Sequence, residues 1–167
     1  MSLSGLDTGT LLEVLREAYY VVDGLWFLCT EESHGFNEAL RIDLKVWERY
    51  GRVMARRVKR RLQVQGNDVR AIIATLKVFY DMEGWTVNVD KEDEDEAVLS
   101  VKYCPWYDYL EKARRREVVK AVCPQVCLLI FNSWASVFNE DVKVEASGSI
   151  PNCVFHFKRK SNPPTQR

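Results

Sequence analysis

The chain is predicted to adopt an α+β fold: N-terminal helices packed on a four-stranded antiparallel sheet made of two hairpins separated by a helical insert. Three observations predict it. Apolar residues recur every three or four positions through the first eighty residues, the spacing of helices with one buried face. After Gly84 the period drops to two: Trp85, Val87 and Val89 alternate with Thr86, Asn88 and Asp90, as in a half-exposed strand. Alternation returns only near the C-terminus, beyond a second helical stretch, so strands and helices form separate blocks rather than βαβ units.

Thr10 and Glu13 read as a capping box that starts the first helix. Leu12, Leu15, Tyr19, Val22, Trp26 and Cys29 then share a helical face, and Gly24 marks a bend or a place needing tertiary support. His34-Gly35 ends this helix. A second helix is predicted from near Asn37 to near Leu62, with Leu40, Asp43, Trp47, Tyr50 and Met54 on one side and arginines on the other. Asn67 or Asp68 caps a third, which buries Ile72, Ile73, Leu76, Phe79 and Tyr80.

The acidic run Lys91 to Glu96 is too polar for a core and is predicted to be a hairpin loop. Leu99, Val101 and Tyr103 form the return strand. A short helix follows Pro105, and Arg114 to Arg116 lie beside the link to the next one. That helix is predicted to begin at Pro124, because a proline inside a helix costs about 3 kcal/mol. It buries Cys127, Ile130, Phe131, Trp134 and Phe138. Two strands close the chain, Val142 to Ala146 and Cys153 to Phe157, with Gly148 in their turn. Residues 1–160 are expected to form a single domain, and Ser161-Asn162-Pro163-Pro164 to open a disordered tail over 161–167.

Lys+Arg and Asp+Glu number 24 each, and this balance argues against a general nucleic-acid or membrane-surface binder. The basic segments around Arg56–Arg61, Arg114–Arg116 and Lys158–Lys160 read as solvated. No signal peptide and no apolar run long enough for a bilayer is read, so the expected location is cytoplasmic and no membrane is expected among the partners. There, the five cysteines are expected to be buried thiols, metal ligands or redox groups rather than structural disulfides.

The candidate chemistry starts with those thiols. Cys104 and Cys123 each precede a proline and a predicted helix, a place where the helix dipole lowers a thiol pKa. Cys127 lies one turn beyond Cys123, and Cys153 opens a strand. Together Cys104, Cys123, Cys127 and Cys153 form a candidate metal set, with zinc as the first choice and an iron–sulfur cluster as the second. The spacing lacks a Cys-x2-Cys knuckle, and each thiol also has an alternative as a small core hydrophobe; for Cys29 the core is the better reading. Asp43 lies in an apolar stripe and needs a partner if buried. Asp23, Trp26 and Trp47 form a candidate ligand site, with Trp26 and Trp47 meeting across neighbouring helices beside carboxylates to hold a cationic or planar molecule. His34 reads as exposed, and His156 points away from Cys153, so a histidine relay has little support.

Asp23-Gly24-Leu25-Trp26-Phe27, Glu31, Gly35, Ala39-Leu40, Asp43 and Trp47-Glu48 resemble an uncharacterised prokaryotic family found mainly in anaerobic bacteria and archaea. Cys104-Pro105, Cys123 and Cys153 followed by Phe155 extend the resemblance to most of the chain. More distantly, the chain is similar to the L-2-amino-thiazoline-4-carboxylate hydrolases and to the vinyl-reductase-type small-molecule-binding domain. These resemblances imply a ligand-binding α+β domain, often a homodimer, with Cys104, Cys123 and Cys153 as metal ligands. The leading expectation is therefore a cytoplasmic small-molecule-binding or sensing domain with a cysteine metal site. The alternative is a hydrolase of the thiazoline type, using Cys123 as nucleophile or a metal-activated water, with Asp43 or Glu31 as general base.

Overall fold

A computed structural model describes Gly5 and residues 7–160. The predicted tail, 161–167, lies outside the described residues. Five helices and a four-stranded antiparallel sheet alternate in the predicted blocks: α1 (Thr8–His34), α2 (Phe36–Arg61), α3 (Val69–Glu83), β1 (Thr86–Glu92), β2 (Glu96–Tyr103), α4 (Pro105–Lys112), α5 (Arg116–Ser136), β3 (Val142–Ser149) and β4 (Asn152–Arg159). The sheet order is β1-β2-β4-β3, so the second hairpin joins the first through β2 and β4. Leu99 pairs with Phe155, and Val144 with Phe157. The alternation of these strands aims Ala97, Leu99, Val101, Val142, Val144, Phe155 and Phe157 into the core.

Across from the sheet, α3 and α5 fill that core. Ile72, Ile73, Leu76, Phe79, Ile130, Phe131 and Trp134 are all buried, as their spacing predicts. The Trp134 indole N–H donates to Thr75 Oγ1 at 2.9 Å, and Thr75 donates to the Ile72 carbonyl, so the one polar pair between these helices is satisfied. Helix α2 lies against α5 with its backbone close. A Cβ on Gly51 would meet the Ile130 carbonyl oxygen at 2.7 Å and collide with Ser133 Oγ. Only a residue without a side chain fits that crossing.

Several boundaries differ from the sequence reading. The N-cap of α1 is Asp7, which accepts from the Gly9 and Thr10 N–H groups; Thr10 donates its hydroxyl to Asp7 Oδ2 at 2.7 Å instead of capping. Gly148 sits within β3, paired with Cys153, and the turn lies beyond it. The largest difference is α5, which starts at Arg116 and runs through position 124. Proline removes one backbone donor, but the surrounding turns are held by α2, and packing overrides local propensity. Because the sequence reading divided this segment at Pro124, it missed that 116–135 is one helix long and apolar enough to cross a bilayer by length and composition.

Candidate functional site

The buried faces of α1, α2 and α3 bring three carboxylates together. Glu83 ends α3, is 2% exposed, and continues the buried steps Ile72, Leu76, Phe79. Tyr50 donates to its Oε1 at 3.0 Å, and the Trp106 indole donates to its Oε2 at 2.8 Å. Tyr20 donates to its backbone carbonyl, while Arg16 donates to the Met82 and Asp81 carbonyls and so caps the end of α3. Two further donors, Tyr19 Oη and Trp85 Nε1, are buried in the same region without a hydrogen-bond partner among the described residues.

Glu83, Asp23 and Asp43 line one partly open cavity of about 270 Å³. Its walls are Trp47, Trp106 and Tyr109, with Phe79, Ile130 and Phe131 toward the core. Gly24 also lines it, facing the Tyr109 ring, where a Cβ would make only ordinary contact at 3.4 Å. Helix α1 runs unbroken through Gly24, so the glycine does not mark a bend. Burial pushes the Asp23 carboxyl up to about 7, helped by the neighbouring charges of Asp43 and Glu83. Burial pushes Asp43 up to about 6, opposed by the Trp47 indole. Burial also raises Glu83, against the hydrogen bonds from Trp106 and Tyr50.

Two predicted ligand residues, Asp23 and Trp47, are therefore in the cavity, and Asp43 joins them as a half-buried carboxylate. Trp26 is not: it is 72% exposed and makes no contact with Trp47. The expected Trp26–Trp47 pair is replaced by Trp47–Trp106, with centroids 5.3 Å apart and planes at 86°. The reason is that α1 turns Arg16, Tyr20, Asp23 and Phe27 inward, not the Leu15–Val22–Trp26 stripe. For the same reason Cys29, expected in the core, is exposed. Glu31 stands beside the cavity but not in it; its carboxylate takes up Arg115 at 2.7 Å.

The cysteines converge without forming a cage. Cys104, Cys123 and Cys127 line the cavity, and a charge on Cys153 would repel one on each of them. All five cysteines are free. Among the described residues, however, no three His, Cys, Asp or Glu side chains are arranged to hold a metal ion, so the expected four-thiolate site is not assembled. Nor do the thiols have the expected low pKa. Cys104 does cap α4, accepting from the Tyr107 N–H at 3.4 Å, yet burial pushes it up to about 12. Cys123 lies inside α5 rather than at a helix start, and burial pushes it up to about 11. Burial raises Cys127 and Cys153 as well. Neutral thiols act here as soft apolar wall.

Glu83 and Trp106 are the residues that sequence reasoning missed. The signal for Glu83 was present: an acid at the next step of an apolar helical stripe must find donors. Comparison with protein families matches residues 3–156 to a family of unknown function, DUF6125. The chain belongs to this family. No curated protein and no solved structure matches it.

Proposed function

We propose that this member of DUF6125 is a small-molecule-binding domain and that the helical cavity holds the ligand. The observation that carries this reading is a concave, mainly apolar cavity with a few convergent polar groups, the usual form of a ligand site. An apolar cavity of about 150 Å³ accepts benzene, so this one has room for a ring with a short arm. The distant resemblance to small-molecule-binding domains supports the same reading. Binding is better supported than thiolate hydrolysis, because the thiols facing the cavity are all pushed toward their neutral form. Ala113 lies at the exposed edge of the cavity, outside the core. Saturation-transfer NMR with p-cresol is expected to detect binding to the wild-type chain, weakened about tenfold or more by Ala113→Trp. Absence of transfer to the wild type, or equal binding by the variant, would remove the cavity reading.

We further infer that a second copy of this chain covers α1. Leu11, Leu15, Ala18, Val22, Leu25 and Cys29 follow alternating steps of four and three, the seam of a coiled coil. Leu15, Val22, Leu25 and Trp26 are 66%, 55%, 53% and 72% exposed. Leu11, Leu12, Val14, Val21 and Leu28 are exposed beside them, so the apolar surface left in water runs along most of the helix. The helix is acidic otherwise, with Glu13, Glu17, Asp23, Glu31 and Glu32 against Arg16, so an anionic lipid surface is a poor partner. Sedimentation equilibrium is expected to give a dimer for the wild type and a monomer for the double variant Leu15→Glu, Val22→Glu, with p-cresol binding retained. A wild-type monomer at high concentration would exclude the second copy.

A further inference from the structure

The cavity has a charge imbalance that narrows the ligand class. Its lining holds three carboxylates, Asp23 from α1, Asp43 from α2 and Glu83 from α3. The one cationic residue lining it is Arg115, and that guanidinium is shared between Glu31 and Glu117. Among the described residues no ion pair involves Asp23, Asp43 or Glu83. A largely buried carboxylate without a counter-ion is costly unless it is protonated or a charge arrives from outside. The walls suit the second outcome. Trp47 and Trp106 stand edge to face, and such electron-rich faces attract an ammonium group.

We propose that the ligand is an organic cation, a protonated amine or quaternary ammonium carried on a small apolar body, with its positive head between Asp23, Asp43 and Glu83 and its body against Trp47 and Trp106. This rests on the cavity being the ligand site and adds the sign of the ligand's charge. Around the head stand those three acids, with the Tyr50 hydroxyl bonded to Glu83, and the thiols of Cys104, Cys123 and Cys127 line the same cavity. Glu83 is already held by Tyr50 and Trp106, so it fixes the field of the site; among the described residues Asp23 has no side-chain hydrogen bond and Asp43 meets only the Trp47 indole, which leaves their outer oxygens for the cation. Burial raises both Asp23 and Asp43, with the neighbouring acids adding to it at Asp23, and a bound cation would draw both acids back toward ionisation.

The test is calorimetric titration of the full chain at pH 8 with three probes of one shape: benzylammonium, benzyl alcohol and benzoate. Benzylammonium is expected to bind about tenfold or more tightly than benzyl alcohol, and benzoate not at all. Asp43→Asn and Asp23→Asn, each checked for an unchanged fold by circular dichroism, are each expected to erase most of that tenfold preference while benzyl alcohol binding stays. Benzyl alcohol or benzoate binding as well as the cation would overturn the cation inference and leave the cavity reading standing. If none of the three probes binds, the cavity reading falls together with it.

Discussion

Helices α3 and α1 make opposite use of similar residues. Of the 15 residues of α3, nine are buried, and the helix packs on the sheet beside α5, with α2 against it. Of the 27 residues of α1, only Tyr20 is buried, although the helix is rich in Leu and Val. What α1 turns inward is polar or aromatic: Arg16, which caps α3, Tyr20, which holds the last carbonyl of α3, and Asp23, which lines the cavity. The core of the domain is thus built by α2, α3, α5 and the sheet, and α1 is fastened to it at the site. Length and apolar content do not reveal which helix carries the fold; the chemistry of the inward residues does. A helix fastened through a few aromatic contacts and its hydrogen bonds to the end of α3, with much of its apolar surface outside, belongs to the low-stability part of a structure, where ligand-binding elements are commonly found.

The sharpest way to break this comparison is to delete equivalent atoms from the two helices. Leu76, at 0% exposed, and Leu15, at 66%, are the same residue type in helices of the same domain. Leu76→Ala is expected to cost roughly 2–5 kcal/mol in urea unfolding, from lost burial and the hole it leaves. Leu15→Ala is expected to change the stability of the dilute protein by about 0.5 kcal/mol or less. The cost of Leu15→Ala should then grow with protein concentration, because a second copy that covers α1 adds burial only where dimer forms. Equal costs for the two variants at low concentration would mean that α1 is part of the core after all.

The two helices also explain what was legible in the sequence. The stripe of α3 has one dominant apolar side, so its period identified Ile72, Ile73, Leu76, Phe79 and Tyr80, while the equally buried Val69, Ala71, Thr75 and Glu83 went unread. Helix α1 is apolar on two sides. Its longest stripe, Leu15–Val22–Trp26–Cys29, satisfies the same period as the inward one, and periodicity cannot choose between them when tertiary contacts decide. Asp23 and Asp43 were legible because a carboxylate inside an apolar run demands an explanation. Trp106 was not, since nothing local shows that α4 folds back over α1 to set its indole beside Glu83. Pro124 misled for a related reason: its local cost is real, but a helix pressed against α2 along its length can bear it.

An effect smaller than that of Leu76→Ala is expected in the pH dependence, and it separates the inward face of α1 from the core most directly. Asp23 stands near 7 in the folded chain and Asp43 near 6, both above the ordinary 3.8 of an unfolded aspartate. Between those values the folded state holds protons that the unfolded state has lost. Stability is therefore greatest toward pH 4 and declines as pH rises through 6 and 7, levelling off above, which is the reverse of a carboxylate stabilised by an ion pair. Exposed acids whose values are lowered, such as Asp7 and Asp93, act in the opposite sense and below this window. Urea unfolding of the dilute protein at pH 5 and pH 8 should differ by on the order of 1–2 kcal/mol once partial solvent access is allowed for. Asp23→Asn should remove most of that difference by raising stability at pH 8 and leaving it nearly unchanged at pH 5. A slope that survives the substitution would place the titrating groups elsewhere, and α1 would then be fastened to the domain without contributing to the electrostatics of the cavity.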